Sequence, residues 1–214
     1  MFAGKSEEVI RRGRIASEVA GHKVLCFRPA MDNRYSTKSI ASYTGSRLDA
    51  HLVRNTPEIE HVEATHGPAE VYIFDELQFF DEGVINFILT RANRGARIIA
   101  GLLDLNFRAE PFTFMNSKRH VGELFPYADI TTLRALCLHK GPDGKQCNAP
   151  ADYTQRMIDG KPASYDSPLV LVGSTESYTV RCGNHHSVPG KPQSSLFFFE
   201  IDKKKIYNLT PENK

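Results

Sequence analysis

Two short stretches of the chain carry residue types whose spacing suits phosphate chemistry. The first is Gly4-Lys5-Ser6, the last three positions of the phosphate loop G-x-x-x-x-G-K-[ST], followed at once by a helical pattern. Glycine lets backbone N–H groups close around phosphate oxygens, and a helix N-terminus adds partial positive charge. Lys5 would neutralise β/γ-phosphates, and the Ser6 hydroxyl would ligate Mg²⁺. The second stretch is VYIFDELQFF, residues 71–80. Four apolar residues followed by Asp75 put a carboxylate at the C-terminal edge of a buried strand, which is the ligand-binding edge of an open α/β sheet. Asp75 there suits the Mg²⁺ shell opposite Ser6. Glu76 points another way, so one carboxylate can serve the metal and the other act as general base. Plainer readings stand beside both: a surface lysine next to a helix cap, and a polar strand end leading into a cap.

Four cysteines occur, and Cys137, Cys147 and Cys182 all fall in the C-terminal part of the chain, after residue 136. In a cytosolic protein such clustering favours metal binding over disulfides. Cys182-Gly-Asn-His185 has the Cys-x-x-His spacing of a tetrahedral zinc corner. Buried or exposed free thiols are the alternative. Cys26 lies in a strand pattern and reads as core.

The elements that must position these groups follow from periodicity. Residues 6–20 read as an amphipathic helix, and 23–28 as a strand closed by Pro29. Residues 32–68 are polar, with a strand expected at 50–53. Residues 71–74 form a buried strand, 82–94 a helix ending at Gly95, and 97–103 another strand. A helix is expected over 117–125 and a further strand over 130–136. Alternating helices and apolar strands imply a parallel sheet with crossover helices. After Leu136 the texture turns to Gly, Pro and His, which sets a boundary there. The segment 195–201 (SLFFFEI) reads as an added strand or an oligomer contact, and the charged end as a tail.

Composition narrows the function classes. The chain has 27 basic and 25 acidic residues, a net charge of +2, and 41% hydrophobic residues. That balance gives no electrostatic case for nucleic acid or membrane partners. No apolar run reaches the ~18 residues of a spanning helix, and the N-terminus is not a signal peptide, so the reading is cytoplasmic.

With these motifs in place, the sequence resembles the thymidine kinase family, in the zinc-containing class of human cytosolic and bacterial type. MFAGKSEE, DNRYS (32–36), DELQFF, GLLDLNFRAEPF (101–112) and TQRMIDGKPASYDSPLVLVGSTESYTVRC (154–182) match it in family order. The resemblance implies a P-loop, RecA-like α/β sheet with helices on both faces, over residues 1–136. A small zinc-ribbon-like domain carrying a nucleoside-wrapping loop would span 137–190, and a tail 191–214. It implies transfer of the γ-phosphate of ATP to the 5′-hydroxyl of thymidine or deoxyuridine by a homotetramer, with Mg²⁺ and structural Zn²⁺. Glu76 would be the catalytic base. Gly4, Lys5, Ser6, Arg34, Asp75, Glu76, Leu77 and Gln78 would handle ATP and Mg²⁺. Met1, Phe79, Leu103, Phe107, Phe112, Thr154, Leu169, Leu171, Gly173 and Tyr178 would hold the nucleoside; a flat base needs aromatic and aliphatic walls. Each Phe or Leu alone is equally at home in an ordinary core.

The resemblance also supplies the other half of the metal site. Cys137 and Cys147 match the first two family ligands, with Cys182 and His185 the second pair. The spacing between the first two is longer than the family's, and Gly141-Pro142-Asp143-Gly144 marks a turn inside it. His139 and His186 are rival ligands. The family loop would run G-x-M-F-x-G-K-S, with Met1 at its third position. The expectation is that the first strand and the start of the P-loop lie upstream, and that the chain as written is impaired. Two other functions stay open. DELQ resembles a helicase box, which would suit a nucleic-acid-dependent ATPase with a zinc ribbon. An incomplete loop would suit a non-catalytic nucleotide-binding protein.

Overall fold

The computed structural model describes residues 2–30, 39–42, 44–169 and 177–192. Met1, Arg34, Leu171, Gly173 and the 195–201 segment lie outside the described residues.

The chain enters through α1 (Lys5–Arg14), which continues as a π-helical turn over Ile15–Val19. Then come β1 (Val24–Pro29), a β2 (Ser39–Ala41) and β3 (Arg47–Asp49) hairpin, β4 (His51–Val53), α2 (Thr56–His66), β5 (Val71–Phe74), α3 (Gly83–Asn93) and β6 (Arg97–Ala100). Strands β4-β1-β5-β6 form one parallel sheet in that order. The helices cover both faces, as expected.

The two-residue alternation of the strands sorts the core into two layers. Leu25, Phe27, Tyr72 and Phe74 face one side, where they pack with Ile59 of α2 and Val84, Ile85, Phe87 and Ile88 of α3. Cys26, Val71, Ile73 and Ile99 face the other side, against Val9, Ile10 and Ala16. Gly13 makes that second contact close. A Cβ there would stand 2.8 Å from Ile73 Cδ1 and 2.6 Å from Leu48 Cδ2.

Four expectations change in detail. Residues 32–68 contain more order than their polarity suggests: the β2–β3 hairpin and the whole of α2. The 97–103 strand stops at Ala100. The 117–125 helix is a 3₁₀ segment, Val121–Tyr127. The 130–136 strand does not join the parallel sheet. Only Ala135–Leu136 (β7) is extended and paired, and its partner is Pro150–Ala151 (β8), antiparallel. Ile130 and Leu136 are both 56% exposed, so this run lacks the burial that two sheet faces would give.

The C-terminal part is a separate three-stranded antiparallel sheet in the order β10 (Lys161–Pro162), β9 (Tyr153–Ile158), β11 (Ser177–Arg181). It docks on the turn at 106–110. His186 Nε2 bonds to the Phe107 carbonyl at 3.0 Å, Lys191 Nζ donates to the Arg108 carbonyl at 2.5 Å, and Tyr165 Oη donates to Glu110 at 3.0 Å. No described helix is long and apolar enough to cross a membrane.

Candidate active site

The chain reverses its strand order around β1: β4 lies on one side and β5 on the other. The crevice at the carboxyl ends of β1 and β5, where the order switches, is where such sheets bind ligands. Three elements deliver side chains there.

The first is the start of α1. Gly4 is its N-cap, in the left-handed region at φ 77°, with open space where a Cβ would be. No side chain caps the first turn. Its N–H groups are therefore available to an anion. Two acids in that turn would repel phosphate, and both are engaged elsewhere. Glu7 accepts from the Thr44 and Ser46 hydroxyls at 2.5 and 3.0 Å, and Glu8 binds Arg11 and Arg12 at 2.7 Å.

The second is the end of β5. The Asp75 amide extends the parallel ladder by donating to the Phe27 carbonyl at 3.1 Å. Its side chain is 3% exposed, and Oδ1 is buried with no hydrogen-bond partner among the described residues. Burial, then repulsion from Glu76, pushes the Asp75 carboxyl up to about 6, against the pull of Arg28 and Lys5. Gly101 brings the two elements together, for a Cβ on it would meet both Val9 of α1 and Asp75 Oδ1. An orphaned carboxylate oxygen facing cations suits a hard metal ion with oxygen ligands. Gly101 leaves room for it, since a Cβ there would come within 3.2 Å of Asp75 Oδ1 and 2.9 Å of Val9 Cγ2.

The third is the turn that follows. Glu76 is left-handed at φ 51°, ψ 48°, a conformation few non-glycine residues adopt. Its carboxylate accepts from Gln78 Nε2 at 2.5 Å. Leu77 and Gln78 are buried side chains within the short 3₁₀ turn, and Gln78 bonds to both Glu76 and the Leu103 amide.

The residues expected to hold the nucleoside form two groups. Phe79 and Phe112 meet edge to face at 5.6 Å, and Leu103 and Leu169 pack into the same cluster. Phe107, Thr154 and Tyr178 lie instead around Arg156, whose guanidinium carbon is 5.2 Å from the Phe107 ring and 6.0 Å from that of Tyr178. Arg156 is fully buried and donates to the Pro168 carbonyl. Sequence reasoning missed it. A lone arginine in a short strand looks like a solvent-facing residue, and its partners lie far along the chain. Arg28 was likewise read only as a strand end, yet it is buried beside Asp75.

The metal-ligating set does come together. Ligand atoms of Cys137, Cys147, Cys182 and His185 all lie within 4.8 Å of one another. Cys147 Sγ is 4.0 Å from Cys182 Sγ, and His185 Nδ1 is 3.6 and 3.4 Å from the sulfurs of Cys137 and Cys182. A tetrahedron with ordinary zinc–ligand bonds has edges of about 3.5–3.8 Å, so the donor set and its spacing fit such an ion. The long spacing between the first two cysteines folds as a hairpin bridged at Lys140 and Gln146 and turned at Gly144, φ 76°. The cluster can hold a metal ion such as zinc. Neither rival histidine joins it. His139 stacks on the His185 ring at 3.9 Å, and His186 stacks on Tyr153 while bonding to the Phe107 carbonyl.

Comparison with known proteins decides the family. The thymidine kinase family model matches residues 1–186. The chain belongs to the thymidine kinase family. A relative described as thymidine kinase, from Mycoplasma mycoides subsp. mycoides SC, is 42% identical over 195 residues, covering 89% of this chain and 87% of that protein. Gly4-Lys5-Ser6, the Asp75–Glu76 pair and the Cys/His cluster all fall within the family match.

Proposed function

We propose that this kinase transfers the γ-phosphate of ATP to the 5′-hydroxyl of thymidine, with deoxyuridine the alternative acceptor. The observation that carries the reading is the orphaned, buried Asp75 oxygen at the sheet edge, with Glu76 next to it in sequence and an uncapped helix start packed alongside. In this reading Gly4, Lys5 and the first-turn amides hold the triphosphate. Ser6 and Asp75 would hold Mg²⁺, which would supply neutralisation of the phosphate charge. Glu76 accepts the 5′-hydroxyl proton as that oxygen bonds to the γ-phosphorus. The bond from the γ-phosphorus to the bridging oxygen breaks, and ADP leaves with the electron pair. Phe79, Leu103, Phe112 and Leu169 wall the base. Thr154 and Tyr178 reach it from the second sheet, and Phe107 supports them through Arg156.

Zn²⁺ on Cys137, Cys147, Cys182 and His185 is structural in this reading, because a closed four-ligand set leaves no position for substrate. The antiparallel pairing of β7 with β8 supports treating the metal-binding part as its own unit, close to the 137–190 span. Family resemblance supports a cytoplasmic homotetramer.

A coupled ATP assay over a nucleoside panel with Mg²⁺ tests the substrate. Turnover confined to pyrimidine deoxynucleosides is expected, and no turnover with thymidine overturns it. Glu76→Gln is expected to bind both substrates and to lose about 10²–10⁴-fold in kcat. Near-normal turnover in that variant removes Glu76 from the role of base.

A further inference from the structure

Gln78 follows the two carboxylates by one turn, and its side chain is wholly buried. A buried amide must satisfy both of its ends. This one does so with two partners of different kinds. Nε2 donates to Glu76 Oε2 at 2.5 Å, and Oε1 accepts from the Leu103 backbone N–H at 3.0 Å. The orientation of the amide is fixed by chemistry, since a carboxylate only accepts and a backbone N–H only donates. Among the described residues, Glu76 Oε1 has no such partner, which leaves that oxygen to take a proton.

The backbone around Glu76 is held as firmly. Its left-handed conformation persists only where surroundings over-determine it. The next amide, Leu77, donates to the Gly101 carbonyl at 3.0 Å, and the Leu77 side chain is buried. Leu103, two residues after Gly101, packs with Phe79 and Phe112. One amide side chain therefore joins a carboxylate at the phosphate edge to the backbone of an apolar wall.

We infer that Gln78 is a positioning residue: it orients the Glu76 carboxylate toward the nucleoside hydroxyl and ties that orientation to the Leu103 wall. The inference rests on Glu76 being the base. A clamp of this kind acts on the approach geometry of the proton acceptor. It therefore bears on kcat: Gln78, which the resemblance would group with the ATP residues, is buried between Glu76 and the Leu103 amide and leaves ATP binding to Lys5 and the helix start.

Two variants separate this role from simple support of the Leu103 turn. Gln78→Met keeps the length and volume of the side chain and removes both hydrogen bonds. Gln78→Glu keeps an acceptor for the Leu103 N–H and replaces the fixed amide donor to Glu76 with a second carboxyl, which either repels Glu76 or shares a proton with it. Both are expected to lower kcat about 10–100-fold with KM for ATP within about twofold, at thermal midpoints that show a folded chain. Normal kcat in Gln78→Glu beside a loss in Gln78→Met overturns the inference, because only the turn would then matter. The same substitutions in a Glu76→Gln background give a second reading that tolerates poor folding of one single variant. Gln78→Met is expected to cost no further kcat there, whereas additive losses overturn the positioning role. Normal turnover in Glu76→Gln alone overturns the base assignment itself, a distinct result.

Discussion

Asp75 carries a conflict that its neighbours only partly relieve. Burial and the adjacent Glu76 hold its carboxyl up to about 6, well above the usual Asp range. A carboxyl raised in the folded state weakens folding at every pH above its unfolded pKa, and the penalty is fully present once pH exceeds the folded value. Asp75→Asn removes the charge and is expected to stabilise the ligand-free chain at pH 7.5 by about 1–3 kcal/mol. The gain should shrink as pH falls through 6, while kinase turnover is lost at all pH values. Thermal midpoints from pH 5 to 8 check the sign, and a destabilised Asp75→Asn chain would contradict it. At this scale the sequence speaks most directly where candidate residues are consecutive, as in Gly4-Lys5-Ser6 and Asp75-Glu76. Arg28 and Arg156 stayed hidden because their partners are backbone carbonyls and carboxylates brought close only by the fold.

The elements show where periodicity carries information and where it fails. Strand β5 reads correctly because both of its faces are buried, so four apolar residues in a row have one simple meaning. Helix α2 does not, since its apolar stripe amounts to little more than Ile59 and Val62. Its signal lay at the terminus instead: Asn55 accepts from the Glu58 amide at 3.1 Å, and a proline opens the first turn. Its other end is tied down by charge. Glu63 of α2 binds Arg91 of α3 and receives the Tyr72 hydroxyl from β5. Hydrogen bonds from Arg91 hold the Glu63 carboxyl below the usual range. This contribution is present above about pH 4.5 and is lost as pH falls through the lowered folded value. Glu63→Ala is expected to cost about 1–3 kcal/mol at neutral pH, between the exposed and buried limits for ion pairs, and less at a pH below the lowered folded value. Denaturant titrations at the two pH values measure the difference. On the opposite face, Gly13→Ala is expected to destabilise by about 1–3 kcal/mol, because the added methyl meets Ile73 and Leu48 inside contact distance. A neutral or stabilising result, as helix propensity alone would give, would show that α1 can lift off the sheet.

On the scale of the whole molecule, the metal cluster gathers segments distant in sequence. Cys137 follows β7, Cys147 precedes β8, and Cys182 and His185 follow β11. Removing the metal is therefore expected to loosen the three-stranded sheet while leaving the parallel sheet folded. KM for the nucleoside should rise by roughly 10-fold or more, with KM for ATP changed much less. Metal analysis is expected to find zinc in the native chain and in His139→Ala, and to find it lost in Cys147→Ala. Retained zinc in Cys147→Ala would move the ligand to His139. The parallel sheet was legible in sequence because its strands alternate with helices. The second sheet is not legible in the sequence beyond a zinc-ribbon-like domain implied by the resemblance, because β10 is two residues long and β9, from Thr154 on, and β11 fall inside the segment expected to be a wrapping loop. The seam between the two has a property of its own. His186, Lys191 and Arg108 reach across it to main-chain carbonyls of Phe107, Arg108 and Ser167. Carbonyls do not change when the residue bearing them is substituted. Much of the fit is thus indifferent to drift at the residues that bear the carbonyls, and the segment that carries the Cys/His cluster should graft from one relative onto the parallel sheet of another, making this seam a natural crossover point for recombining family members.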